Sequence, residues 1–450
     1  MPRAPQLAFY GDDFTGSTDV MEALARAGLR TALFLAPPTP AQLRRFPGLR
    51  AFGIAGTSRS MSPREMERAL PPVFRARRES GAPLVHYKMC STFDSSPSVG
   101  SIGRAIDLGQ EIFKSPLVPL LVGAPVLGRY CVFGNLFARS GLDSEPARLD
   151  RHPTMSRHPT TPMDEADLRV HLAKQTKRSI GLFDLLKLEA ADYRGRFAKV
   201  RDEIVLLDVL NDGNLPRLGE LIASRASRRH QLFCVGSSGV EYALTAHWRA
   251  SGGIPAAPQG AKLGAARQLV CVSGSCSPVT ARQIAWAERS GFAVAALDTA
   301  ALIRPRTARA AMDDALSSAE PQLRDGKNII FHTALGPDDT RLASTRAALK
   351  ATRKNSADAL GTSLGRLLRA ALEVAPQARA AVTGGDTSAF VAHALDIEAL
   401  EFAAPVAPGS PLCHAHSADA TIHGREIVFK GGQVGHDDFF GTLLHGSISK

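Results

Sequence analysis

The chain has no uninterrupted apolar run of about 18 residues, the length a membrane-spanning helix needs, so no membrane partner is expected. It has no C-x-x-C pair. Its six cysteines (Cys90, Cys131, Cys234, Cys271, Cys276 and Cys413) are scattered, which argues against a disulfide framework or structural zinc, and no metal-ligating residues are assigned. The amino terminus lacks the apolar core of an export signal, so a cytoplasmic location with reduced thiols is expected. Aromatic residues make up only 6%, few stacking rings for a nucleic-acid face, although the net charge is +11. The excess lies in dispersed arginines such as those of "RRFPGLR" and "SRASRRH", which solvated helix faces accommodate. Neither G-x-x-x-x-G-K-[ST] nor G-x-G-x-x-G occurs, so a P-loop NTPase and a standard dinucleotide fold are not indicated. Ser237-Ser238 in "VGSSGVE" lacks a G-x-S-x-G elbow, which argues against a serine hydrolase there.

What is present is a long alternation of short apolar runs and helical patterns over 450 residues. "LAFY", "TALFLA", "AFGIAG", "LVHYKMC", "LLVGAP", "IVLLDVL" and "LFCVG" read as buried strands. A second series follows in "LVCVSGS", "VAALDT", "NIIFHT", "AAVTGGDT", "EALEF" and "EIVFKGG". Such alternation predicts an α/β protein of two domains, each a mostly parallel sheet with flanking helices, with a ligand cleft between them. The Gly-, Ala- and Pro-rich stretch 251–268 reads as a linker between an N-terminal domain, 1–250, and a C-terminal domain, 269–450. One irregular basic stretch contains RHPT twice, at 151–154 and 157–160, and a helix is expected to start beyond it with Thr161 as N-cap and Pro162 at N1. The later "CHAHSADATIHGR" reads as a loop.

In "YGDDFTGSTDV" two adjacent carboxylates, Asp12 and Asp13, follow the first strand. One can cap the next helix; the second needs a cation, a bound metal or a proton donor. Strand three runs into Thr57, Ser58 and Arg59, and strand four into Lys88, Met89, Cys90, Ser91, Thr92 and Asp94. In a parallel sheet these C-terminal ends share one crevice, where Lys88 or Arg59 would neutralise a substrate carboxylate and the aspartates would bind hydroxyls. The second domain repeats a different device. Ser273-Gly274-Ser275, Gly384-Gly385-Asp386-Thr387 and Lys430-Gly431-Gly432 each end a strand with small residues whose amide groups could approach a phosphate. Ser277 as N-cap and Pro278 at N1 open the helix after the first of these turns.

At this point the chain resembles the four-carbon acid sugar kinase family over nearly its whole length. The resemblance rests on "GDDFTGSTD", "TSRSM", "YKMCSTFDS", "GRYCVFGNLF", "RHPTTPMDEADL", "VSGSCSPVTARQI", "TGGDTS" and "FKGGQVG" in that order. It implies an N-terminal sugar-acid-binding domain, a C-terminal ATP-binding domain, and ATP-dependent phosphorylation of threonate, erythronate, 3-oxo-tetronate or a related acid. Carried over by position, Asp12 or Asp13, Arg59 and Lys88 to Ser91 would serve the substrate. Ser273 to Ser275, Gly384 to Thr387, Lys430 and Gly432 would serve ATP. The segment "KMCSTFDSS" departs from the family pattern of lysine, any residue, Asp-Ser-Thr, then Leu-Arg-Gly-Asn: Cys90 replaces an aspartate, and Asp94 stands where an arginine is usual. That change points to a branched relative of the isoapionate type. ATP and Mg²⁺ are the expected cofactors, with Asp12 or Asp13 as base, Asp386 as rival, no nucleic-acid partner, and homo-oligomerisation left open. A non-catalytic sugar-acid and nucleotide sensor and a basic nucleic-acid-binding protein are the competing readings.

Overall fold

The computed structural model describes residues 5–140, 144–158, 160–227, 229–254, 261–352 and 356–446; the side chains of Ser356, Ala357 and Asp386 are outside the described set. The chain divides into two compact units, Met1–Ala32 with Pro37–Pro258, and Leu33–Ala36 with Gln259–Lys450. Residues 255–260 of the expected linker lie outside the described residues.

Strands of the first unit are β1 (Leu7–Gly11), β3 (Ala51–Ala55), β4 (Leu84–Lys88), β5 (Val118–Leu121), β6 (Arg129–Val132), β7 (Asn135–Ala138), β8 (Ala147–Arg148), β9 (Ile180–Phe183), β10 (Ile204–Leu207) and β11 (Leu232–Gly236), while β2 (Thr31–Phe34) has Thr31 and Ala32 in the first unit and Leu33 and Phe34 in the second. Seven of them form a parallel series in the order β3-β1-β4-β11-β5-β10-β9, with β2 beyond β3. The strands are continuous apolar runs because helices cover both faces, leaving no solvated side to alternate with. The chain builds from β1 towards β3 and then returns to place β4 on the other flank of β1. A reversal of this kind opens a crevice at the carboxyl ends of the strands. Register puts Gly11 beside both Ala55 and Lys88, so residues 12–13, 56–59 and 89–94 leave the sheet at one level. Tyr10, Phe74, Tyr87, Phe113 and Phe233 pack edge-on or stacked beneath that level. Burying each such ring stabilises the fold by about 1.5–3 kcal/mol and anchors the strand ends.

The sequence reading missed the antiparallel trio β6-β7-β8 and strand β9. The β6–β7 turn runs through Phe133 at φ 50° and Gly134 at φ 81°, held by the Asp208 carboxylate, which accepts both N–H groups at 2.6 and 3.0 Å. The helix expected from Thr161 is also corrected. It spans Leu168–Ala173 and is capped by Asp167, because the Thr161 N–H and hydroxyl are both engaged with His158 Nδ1.

The second unit contributes β12 (Leu269–Ser273), β13 (Ala293–Ala296), β14 (Ile329–His332), β15 (Arg379–Thr383), β16 (Ile397–Ala407), β17 (Ser410–Ser417) and β18 (Glu426–Lys430). Their order is β13-β14-β12-β15-β18-β17-β16; the first five are parallel and the last two pairings antiparallel. Here too the chain reverses, from β14 on one flank of β12 to β15 on the other. "CHAHS" is therefore strand and not loop: Cys413 and Ala415 face inwards, while His414 is exposed and His416 meets Glu401 at 3.0 Å.

Candidate active site

In the first unit the Asp12–Asp13 pair stands at the reversal point and has found its cation. Arg59, from the turn after β3, donates from Nε to Asp12 Oδ2 at 3.2 Å and from one terminal nitrogen to Asp12 Oδ1 and Asp13 Oδ1, both at 2.7 Å. The backbone fixes the same arrangement: Asp12 N–H donates to the Lys88 carbonyl at 2.8 Å and Arg59 N–H to the Asp12 carbonyl at 3.0 Å. Asp13 is the N-cap of helix Phe14–Arg26, accepting from Gly16 N–H at 3.0 Å and from the Thr15 hydroxyl at 2.8 Å.

The two carboxylates differ in access and in charge balance. Asp12 has a side chain 3% exposed, Asp13 one 23% exposed. Burial dominates at Asp12 and raises its pKa, against the pull of Arg59. At Asp13 burial also acts upwards, but the Arg59 and Lys88 cations with the Thr15 and Gly16 hydrogen bonds outweigh it and hold the carboxyl below its usual range. Asp13 is thus the more accessible member of the pair and the one held below its usual range.

Lys88 ends β4 with its side chain only 4% exposed, 4.0 Å from Asp19 Oδ2. Beyond it, Met89 is fully buried, its side chain in the core, and gives its N–H to the Gly236 carbonyl at 2.8 Å. Cys90 Sγ lies 2.9 Å from Thr92 Oγ1, which donates to Asp94 Oδ1 at 2.6 Å. Burial, and after it the Asp94 charge, push the Cys90 thiol up to about 11, so it acts as a neutral group. Ser91 is half-buried beside it. Asp19 and Arg129, which feels the Asp94 charge, were missed from sequence. Asp19 lies three residues beyond Gly16 and six beyond Asp13, on one helix face, which is the signal that could have found it.

In the second unit the three small-residue turns do converge. Gly274 N–H donates to the Thr383 carbonyl and Gly384 N–H to the Lys430 carbonyl, each at 2.9 Å. A Cβ on Gly274 would lie 2.4 Å from Thr387 Oγ1, and one on Gly432 2.8 Å from Ser275 Oγ. Gly384, at φ 121°, adopts a conformation that only glycine tolerates well. Ser277 caps helix Pro278–Arg289 by accepting from Val279 N–H at 3.1 Å. The result is a cluster of amides and hydroxyls at a helix N-terminus, a setting suited to phosphate oxygens.

Lys430 ends its strand beside these turns. It is fully buried, donates to Thr280 Oγ1 at 3.3 Å and the Gly431 carbonyl at 2.9 Å, and burial lowers its pKa to about 8. It ties the third turn to the capped helix. The Asp386 side chain lies outside the described residues, so that expectation rests on sequence alone. A cavity of about 670 Å³ lined by Arg75, Arg78, Glu79, Glu111 and Ile112 shares none of these groups and lacks their convergence.

The chain matches a family model described as a sugar-binding N-terminal domain over residues 7–244, and one described as a nucleotide-binding C-terminal domain over residues 270–440. It is 45% identical to the 3-oxo-isoapionate kinase of Paraburkholderia graminis, over 100% of this chain and 96% of that protein. It is 29% identical to the 3-oxo-tetronate kinase of Pseudomonas savastanoi pv. phaseolicola, over 98% and 97% of the two chains. A solved structure from Salmonella typhimurium, 24% identical and covering 96% of this chain and 97% of that one, shares the fold with a TM-score of 0.77.

Proposed function

The chain belongs to the four-carbon acid sugar kinase family and is a sugar-acid kinase; from that premise we propose that it phosphorylates a short, branched 3-oxo sugar acid of the 3-oxo-isoapionate type. Full-length similarity at 45% identity to a kinase of that name carries the reading. The Cys90–Thr92–Asp94 chain supports it, since it sets a neutral thiol and an extra carboxylate beside the cations, acceptors suited to hydroxyls more than to a second carboxylate.

In this reading Lys88 and the free face of Arg59 receive the acid's carboxylate. Asp12, locked to Arg59, fixes that guanidinium. Asp13 accepts the proton of the attacking hydroxyl as its oxygen bonds to the γ-phosphorus and ADP departs with the bridging oxygen's electron pair. The turns at 273–277, 384–387 and 431–432 hold the triphosphate through amide N–H groups. Mg²⁺ would arrive with the nucleotide. The donors at these turns are amides and hydroxyls, and among the described residues no three His, Cys, Asp or Glu side chains stand together as a metal cage, which fits an ion held mainly by phosphates and water. When bound, the ion neutralises charge on the transferring phosphoryl group.

The test is ADP release by purified protein with 3-oxo-isoapionate, 3-oxo-tetronate, threonate and erythronate. Highest kcat/KM with the branched 3-oxo acid is expected. Preference for a linear four-carbon acid would overturn the substrate assignment, and absence of acid-stimulated turnover with all four would overturn the site reading.

A further inference from the structure

Among the described residues the Lys88 ammonium makes no hydrogen bond, although its side chain is only 4% exposed. A buried ammonium ordinarily settles into a contact pair or onto carbonyl oxygens. Here the nearest carboxylate, Asp19 Oδ2, is 4.0 Å away, an ion pair at its outer limit and too long for a hydrogen bond. On the other side stands Asp13, whose oxygens are occupied by Arg59, Thr15 and Gly16. The ammonium and the Asp13 carboxylate both lie close against Gly16: a Cβ there would be 2.7 Å from Lys88 Nζ and 2.3 Å from Asp13 Oδ1, so one or both would have to shift. Asp19 is itself largely enclosed; burial raises its pKa, countered first by the Lys88 cation and then by the Ser238 hydroxyl.

Resting on the reading of this unit as the sugar-acid site, we propose that Asp19 is a positioning residue. It holds Lys88 by charge at a distance, keeps it from closing onto Asp13, and so reserves the ammonium's N–H bonds for the acid's carboxylate. Without the Asp19 charge the ammonium would turn to Asp13. The acid would lose its anchor and the base would be drawn into a contact pair.

Steady-state kinetics of Asp19→Asn with the sugar acid and ATP varied in turn, alongside its melting temperature, test this. The KM for the acid is expected to rise about tenfold or more while the KM for ATP and the melting temperature hold, and Asp19→Glu should recover most of the loss. Asp19→Ser, which removes the same charge with a smaller side chain, should show the same split and serves if Asp19→Asn does not fold. An unchanged KM for the acid overturns the proposal, as does a loss shared by both substrates that Asp19→Glu fails to rescue. Absence of acid-dependent turnover in the unsubstituted enzyme would instead overturn the reading of the unit.

Discussion

Arg59 reaches both carboxylates of the Asp12–Asp13 pair, yet it leaves them chemically unequal. Asp12 takes two of its hydrogen bonds and is enclosed; Asp13 takes one and stays partly open. A general base contributes about 10²-fold or more, so Asp13→Asn should lower kcat by at least that factor with the KM for ATP unchanged. Asp12→Asn should act mainly on the KM for the acid, through a loosened Arg59. If Asp12→Asn costs the larger kcat, the roles are exchanged. Lys430 gives a prediction of different kind. Its folded pKa of about 8 lies below the ordinary 10.5 of the unfolded chain. Below pH 8 both states carry the proton and the full burial penalty applies. As pH rises from 8 towards 10.5 the unfolded chain holds more protons, so stability contributed by this site increases. Lys430→Met should flatten that alkaline rise in thermal unfolding scans. Asp12, Asp13, Arg59 and Lys88 could be picked out together from sequence because they lie at, or just after, the carboxyl ends of strands in one parallel sheet. Sequence did not reveal the contact of the Lys430 ammonium with Thr280, because nothing local announces a partner 150 positions away.

Of the two helix caps read from sequence, the one at Ser277 is found in the structure and the one at Thr161 is not. Ser277 followed by Pro278 gave the helix start that the structure has, and Ser277→Ala should destabilise the second unit by about 1 kcal/mol, measurable by denaturant titration. At Gly384 a side chain meets both the positive φ and the Gly274–Ser275 backbone 3.3 Å away. Gly384→Ala should therefore weaken nucleotide binding by about tenfold or more, with binding of the sugar acid unaffected, as isothermal titration of each ligand would check. Parallel strands other than β9 were legible from their continuous apolar runs. β17 was not, because its alternation carries histidine on the outer face and reads as polar loop. The β6–β7 hairpin hid for another reason: its turn places Phe133, a residue with no turn preference, at positive φ, and the stabilising Asp208 lies far along the chain.

Each unit of the molecule repeats one topological device, a central strand flanked first on one side and then on the other, with the proposed ligand groups at the reversal. β1 between β3 and β4 carries carboxylates and cations; β12 between β14 and β15 carries amides and hydroxyls. The net charge of +11 is dispersed, and many arginines are already paired, as Arg148 is with Asp150, Arg178 with Asp107 and Glu203, and Arg194 with Glu220. Division of labour between the units makes a prediction that does not depend on turnover. In hydrogen-exchange measurements on the whole chain, a non-hydrolysable ATP analogue should slow exchange at 273–277, 384–387 and 431–432, where amide N–H groups would meet phosphate. The sugar acid alone should slow it at 12–19 and 88–94, where it would tighten the Asp13 cap and the strand end. Protection by the nucleotide confined to 12–19 and 88–94, with the small-residue turns unchanged, would reverse the assignment of ligands to units, because an amide that binds a phosphate oxygen cannot keep exchanging at its free rate.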